Sequence, residues 1–112
     1  MFRHLLERVS RNVVLRRELP AGVGNGRIFV SPDASLKFWR HDLNKTDPLL
    51  FNWAKEFVRP NDVIWDIGAN VGLFAFAAAN LAGPGGHVVA IEADIWLVHK
   101  AFVRRQQTSR RQ

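Results

Sequence analysis

The sequence predicts an α/β fold in which strands of a parallel sheet alternate with helices. The strongest indication lies in residues 62–92, where a short apolar strand ends in Asp66 and a glycine-containing loop follows. A helix of small and apolar residues comes next, then a Gly/Pro turn and a second apolar strand that ends in Glu92. This order is typical of a βαβ unit, because two parallel strands need a crossover connection.

Length and composition limit the chain to one modest domain. It has 112 residues, of which 47% are hydrophobic, so it can bury a small core. Cysteine is absent, which excludes disulfides and thiolate metal sites and fits a reducing compartment, so we expect a cytoplasmic protein. The four histidines lack metal-ligand spacing, and no metal site is predicted. The longest mostly apolar run, residues 71–82, is shorter than the ~20 residues of a membrane span.

The net charge of +6 is concentrated at the two ends. Residues 1–17 hold five arginines against one glutamate, and residues 100–112 hold five basic residues and no acid. Residues 18–99, in contrast, carry a net charge of −3. Basic ends can favour nucleic acid or anionic lipid, but solvated helix faces are the simpler interpretation. Nucleic-acid binding is not expected, because no aromatic residues interleave with the arginines of the tail.

A basic helix is predicted over residues 2–17 and ends near Pro20. Its apolar residues recur at helical spacing on one face: Leu5, Leu6, Val9, Val13. An antiparallel β-hairpin is predicted next, with strands at residues 27–30 and 35–40 and a turn between them. Helix and hairpin together form a lead-in over residues 1–45.

A second helix is predicted to begin at Thr46-Asp47-Pro48, because N-cap side chains and a proline at the first helical position favour a helix start. The residues expected on its packed side are Leu49, Leu50, Trp53, Phe57 and Val58. Three tryptophans fit apolar faces and are expected in the core: Trp39, Trp53 and Trp65. The first parallel strand is apolar throughout, as expected when helices cover both faces of its sheet.

The predicted βαβ unit occupies residues 46–103 together with its leading helix. Its central helix is predicted over Leu73–Ala82, its turn over residues 83–86 and its second strand over His87–Ile91. Another helix is predicted to begin at Ile95. Residues 104–112 are predicted to be a basic disordered tail.

The loop DIGANVG, residues 66–72, narrows the class of ligand. A phosphate cradle of the form GxxxxGK[ST] needs a lysine after its second glycine, but Gly72 is followed by Leu73. A dinucleotide fingerprint, GxGxxG, is disfavoured because glycines stand only at 68 and 72 and Asp66 would repel a pyrophosphate. S-adenosylmethionine has no phosphate and is cationic, so the same carboxylate becomes a favourable partner.

Glu92 supplies a second acid at the same edge of the predicted sheet. It lies 20 residues beyond Gly72, where it can accept hydrogen bonds from both ribose hydroxyls, as an acid does in dinucleotide sites. Ligands of open α/β sheets bind at the carboxyl ends of the strands, where both acids are expected.

Two stretches, DIGANVGLFAFAAA and GPGGHVVAIEAD, resemble the N-terminal half of the FkbM family of O-methyltransferases, and residues 66–72 resemble motif I of class I methyltransferases. The resemblance covers residues 20–103. It implies a Rossmann-like sheet, S-adenosylmethionine as the cofactor and methyl transfer to an oxygen. The cofactor-binding residues that it implies are Asp66, Gly68, Asn70 and Gly72 for the methionyl part, Glu92 for the ribose, and Ala93 and Asp94 near the adenine.

The fold predicted in this way is an incomplete class I methyltransferase sheet, preceded by a helix and a β-hairpin. The family's later strands and substrate pocket have no counterpart in this chain, and no residue is a candidate general base. The chain is therefore either the cofactor-binding half of a methyltransferase or a truncated, non-catalytic remnant. An exposed sheet edge predicts self-association or a complementing chain. The methyl acceptor is expected to be a small-molecule hydroxyl, with sugar, polyketide and lipid-linked hydroxyls all open.

Overall fold

The described part of the chain folds as a mixed α/β protein with one antiparallel and one parallel pair of strands. The computed structural model describes residues 2–24, 26–32, 35–95 and 98. Within these ranges no helix is both long and apolar enough to cross a membrane. The helix predicted from Ile95 and the tail predicted at 104–112 lie largely or wholly outside the described residues.

The N-terminal helix is shorter than the sequence predicts. Helix α1 spans Phe2–Val9, a 3₁₀ turn at Ser10–Asn12 ends it, and strand β1 follows at Leu15–Glu18. The prediction of a helix through residue 17 is therefore wrong beyond this turn. The consecutive β-branched residues Val13 and Val14 explain the change, because such side chains lose rotamer freedom in a helix and favour an extended backbone.

The antiparallel pair is also built differently from the predicted hairpin. Strand β2, Arg27–Val30, pairs with β1 in the register Leu15↔Val30 to Glu18↔Arg27. The predicted strand at residues 35–40 is wrong, because Leu36–Trp39 forms a 3₁₀ helix. The strand at 27–30 is confirmed, but its partner precedes it in the chain.

Arg17 holds this 3₁₀ helix in place. Its side chain is buried, and its guanidinium donates to the carbonyl oxygens of Phe38, Trp39 and Arg40 at 3.3, 3.2 and 2.9 Å. Three successive carbonyl groups can converge on one guanidinium only where the backbone turns tightly, since carbonyls alternate in direction along a strand. Arg17 therefore favours the turn over the predicted strand.

Two helices lead to the parallel sheet, α2 at Leu43–Thr46 and α3 at Pro48–Phe57. The predicted start of α3 at Pro48 is confirmed, but its predicted packed side is wrong in part. Phe51 and Ala54 are the buried residues of α3, whereas Leu49, Trp53 and Phe57 are exposed. Apolar residues nearly encircle this helix, so periodicity alone does not select the face that packs.

The main core lies between the antiparallel pair, the helices α2 and α3, and the helix that follows the glycine loop. Its buried members come from all of these elements: Leu19, Val23, Ile28, Val30, Phe38, Leu43, Phe51, Ala54, Val71, Leu73, Ala77. The prediction of tryptophans in the core is wrong, because Trp39, Trp53 and Trp65 are all exposed.

The βαβ unit follows the predicted order. Strand β3 spans Val63–Ile67, helix α4 spans Leu73–Ala82, and strand β4 spans His87–Ile91. Helix α4 and strand β4 have the predicted bounds, but β3 continues one residue past its predicted end at Asp66. The strands are parallel, in the register Val63↔His87 to Ile67↔Ile91. Alanines of α4 allow it to pack closely on one face of this sheet, where Ala78 and Ala82 are buried.

Helix α4 is tied to the N-terminal part by Asn80. The amide Nδ2 of Asn80 donates to the carbonyl oxygen of Val23 at 3.1 Å. Gly24, with φ +108°, adjoins this contact, and a Cβ there would lie within 2.9 Å of three Asn80 side-chain atoms. Glycine is needed because its backbone passes directly against Asn80 in a left-handed conformation.

The other face of the parallel sheet is bare among the described residues. Val63, Trp65 and Ile67 of β3 are 69%, 65% and 76% exposed. Val89 and Ile91 of β4 are also exposed. The expectation that helices cover both faces is therefore wrong for the part of the chain that the structure describes.

Candidate functional site

The glycine loop lies at the carboxyl edge of the parallel sheet and connects β3 to α4. The N–H groups of Gly68 and Ala69 both donate to the carbonyl oxygen of Ile91, at 2.8 and 3.0 Å. The N–H of Gly72 donates to the carbonyl oxygen of Ala69 at 2.8 Å. The loop is therefore fixed both to the end of β4 and to itself.

Three loop residues adopt positive φ angles, which explains their identities. The values are 80° for Gly68, 53° for Asn70 and 87° for Gly72. Glycine adopts this region without a steric cost, and asparagine tolerates it better than most other residues. A Cβ on Gly68 would meet no atom within 4 Å, so open space adjoins the loop at this point.

Asp66 lies on the face of β3 that α4 covers. Its carboxylate oxygen Oδ2 is buried and has no hydrogen-bond partner among the described residues. Burial raises the pKa of Asp66, a hydrogen bond from the N–H of Ala75 in the first turn of α4 opposes the rise, and the charge of Glu92 adds to it. A buried carboxylate oxygen without a partner is costly, and such groups are rare in folded proteins.

Glu92 bridges the end of β4 and the glycine loop. Its Oε1 accepts the N–H of Asp94 at 2.9 Å, and its Oε2 accepts the N–H of Asn70 at 2.7 Å. These bonds, from Asp94 and then from Asn70, lower the pKa of Glu92. The sequence interpretation misses this role in shaping the loop. Each oxygen of a carboxylate has two acceptor positions, so Glu92 can still accept hydrogen bonds from a ligand.

A cavity of about 190 Å³ adjoins the loop. The residues that line it are Lys37, Phe38, Asp47, Leu50, Asp66, Gly68, Ala69, Asn70, Val71, Leu73 and Phe74. Three of the predicted site residues, Asp66, Gly68 and Asn70, thus meet on one cavity. The other four do not line it: Gly72, Glu92, Ala93, Asp94.

An ion pair that the sequence does not indicate stands at this cavity. The Nζ atom of Lys37 lies 2.8 Å from Oδ2 of Asp47, and 5.5 Å from the centre of the Phe38 ring. Lys37 lies within the strand predicted at residues 35–40, so its position at the cavity depends on the 3₁₀ helix that replaces that strand. No local pattern could have placed it here.

The cavity is smaller than a typical ligand pocket. Pockets that enclose a drug-sized ligand measure about 300–1,000 Å³, which exceeds the volume beside the loop.

Comparison of the chain with protein-family models, with curated proteins and with solved structures finds no match. Within the described ranges no group of three or more His, Asp or Glu side chains could hold a metal ion. The fold and the site therefore define a mixed α/β protein with a glycine loop and two carboxylates at the end of a parallel strand pair.

Proposed function

We propose that this chain is the cofactor-binding part of an S-adenosylmethionine-dependent methyltransferase that acts on an oxygen. The observation that carries the proposal is the buried Oδ2 of Asp66, which has no partner among the described residues and belongs to a residue lining the loop cavity. An ammonium group offers three donors and a positive charge, and would satisfy this carboxylate once the loop moves enough to expose Oδ2, which solvent does not reach here.

The acids of the site support a cation over a pyrophosphate. A pyrophosphate binds at the N-terminus of the helix that follows a glycine loop, because free N–H groups and the helix dipole favour an anion there. In this chain the N–H of Ala75 in that first turn already faces Asp66, where it opposes the rise in pKa that burial causes, and Glu92 accepts the N–H of Asn70 in the loop. A pyrophosphate at this position would be repelled by two carboxylates, those of Asp66 and Glu92.

Glu92 supports the proposed ribose contact in two ways. Its lowered pKa keeps it ionised, and its two backbone hydrogen bonds fix the carboxylate in one orientation. A fixed, charged acceptor binds a pair of hydroxyl donors with little further loss of side-chain freedom. We propose that Ala93 and Asp94 lie beside the adenine, as the family resemblance implies.

When bound, the cofactor supplies an activated methyl group on its sulfonium. The chain's own contribution is to bind and orient it, which accounts for much of the rate of a displacement reaction. We assign no general base, because Asp47 is paired with Lys37 and Asp66 is used for binding. The proposed acceptor is a hydroxyl of a small molecule in the cytoplasm, and nucleic acid is not proposed.

A second candidate is a non-catalytic fragment, or a part that another chain completes. The observation that favours it is the bare face of the parallel sheet, where Trp65 and Ile67 are exposed. Strands β3 and β4 also pair only with each other among the described residues, which leaves two open edges. Edges of this kind favour association with a further strand, from a second copy or a complementing chain.

Calorimetric titration of the purified chain with S-adenosylmethionine and, separately, with NAD tests the proposal. We expect binding of the former only, and we expect Glu92→Ala to abolish it. Stronger binding of NAD would overturn the argument from the two carboxylates. Binding of neither ligand would favour the non-catalytic fragment, whereas formation of S-adenosylhomocysteine with any hydroxyl compound would exclude it.

A further inference from the structure

Helix α1 presents an apolar face to solvent. None of its eight residues is buried, and Phe2, Leu5, Leu6 and Val9 are 73%, 58%, 41% and 73% exposed. Their spacing of three and four residues places all of them on one side of the helix. An apolar stripe of this kind normally faces a core, whereas in α1 it is largely uncovered among the described residues.

The remainder of the same segment is basic. Arg3, Arg8, Arg11 and Arg16 are all exposed. The single acid of residues 2–16, Glu7, is paired with Arg3 at 3.2 Å. The next part of the chain has the opposite balance, since residues 18–95 hold six basic residues against nine acidic ones. Exposed positive charge and the exposed apolar helix face therefore coincide on one segment.

This coincidence distinguishes α1 from the bare sheet face. The exposed residues of β3 and β4 include no lysine or arginine, and apart from His87 and Ala90 they are large apolar side chains: Val63, Trp65, Ile67, Val89, Ile91. A face of that kind suits another protein surface. An amphipathic helix with arginines on its polar side is instead typical of helices that lie in a membrane interface and are drawn to anionic lipid.

We propose that α1 binds reversibly to an anionic lipid surface, with its apolar face in the interface and its two arginines, Arg3 and Arg8, toward the headgroups. Eight residues make a helix about 12 Å long, which lies along the membrane and is far too short to cross it. So small an apolar face holds the protein weakly, and the arginines supply the dependence on anionic lipid.

Co-sedimentation with lipid vesicles tests this proposal. One set of vesicles is pure phosphatidylcholine, and the other contains about 30% phosphatidylglycerol, in about 0.1 M salt. We expect the partition coefficient to be at least about tenfold higher on the anionic vesicles. We also expect it to fall steeply when salt is raised to about 1 M, because the Debye length shortens to about 3 Å.

Matched variants locate the contact. Phe2→Ser removes an apolar side chain from α1, whereas Phe57→Ser removes one of similar exposure from α3, at 73% and 65%. Arg8→Gln and Arg27→Gln form the corresponding pair for charge, since both arginines are exposed. We expect the α1 variants to lower the partition coefficient several-fold and the controls to leave it unchanged. All four sites are exposed, so circular dichroism should show the same folded spectrum.

Three results would overturn the proposal. The first is equal partition onto neutral and anionic vesicles. The second is an equal loss with Phe57→Ser and Phe2→Ser, which would indicate non-specific adsorption. The third is sedimentation without any vesicles that Phe2→Ser abolishes, which would show that a second copy of the chain covers the helix.

Discussion

The two strand pairs of this protein differ in how far the sequence predicts them and in how well they are buried. The antiparallel pair has an unpredicted partner strand, yet Ile28 and Val30 of β2 are fully buried. The parallel pair follows its predicted order, yet one face of it is bare. In the parallel pair local sequence pattern indicates where each element begins and ends, whereas burial depends on what packs against it.

The largest effect on stability is expected at Arg17, in the well-buried region. Arg17→Met removes the donors to Phe38, Trp39 and Arg40, and leaves one buried and two part-buried carbonyl groups without this partner. We expect the free energy of unfolding in urea to fall by about 3 kcal/mol, as for a charged buried donor. Arg16→Met, at the neighbouring exposed position, should change it by less than about 0.5 kcal/mol. Equal effects would show that the guanidinium does not hold the turn.

An intermediate effect is expected from one substitution placed in each strand pair. Val30→Ala in β2 removes two buried methyl groups and should lower the free energy of unfolding by about 2 kcal/mol. Val63→Ala in β3 removes the same groups from a side chain that is 69% exposed, and should cost less than about 0.5 kcal/mol. A large fall in the free energy of unfolding for Val63→Ala, measured in dilute protein, would mean that this exposed face of the sheet is covered in solution.

The smallest change in the free energy of unfolding is expected at Asp66, where the substitution should stabilise the protein rather than destabilise it. Because burial raises the pKa of Asp66 in the folded protein, its contribution to stability is present at low pH and is lost as the pH rises through the folded pKa. Asp66→Asn removes the ionised group and should raise the free energy of unfolding at pH 7 by less than about 1 kcal/mol. The gain should vanish in acid, below the pKa of an unfolded aspartate. A loss of stability at pH 7 would contradict the unpartnered state of Oδ2.

Most of the parallel unit can be predicted from sequence because its signals are local. Strand, glycine turn and alanine-rich helix each carry their own pattern, and the structure follows it from Val63 to Ile91. The strand at Leu15–Glu18 and the 3₁₀ helix at Leu36–Trp39 depend on a buried arginine more than twenty residues away from the turn it holds. A sequence window short enough to indicate a single helix or strand does not contain both ends of that interaction.

The candidate site, like the fold, can be predicted from sequence where its residues lie close together in the chain. Asp66, Gly68 and Asn70 meet on one cavity because they share a single strand end and loop. Lys37 and Asp47 join them only through the N-terminal fold, so their ion pair is visible in the structure alone. Glu92 is predicted as an acid at the sheet edge, but its hydrogen bond to Asn70 follows from the loop's positive φ angles.

Titration of S-adenosylmethionine into the wild-type chain and into Asp66→Asn tests the central claim most directly, with Glu56→Gln as an exposed control. The proposed site predicts binding by the wild type and the control, and an affinity at least about tenfold lower for Asp66→Asn, because the ammonium loses its charged partner. The same variant should be no less stable than the wild type. Equal affinities for the wild type and Asp66→Asn would contradict the claim.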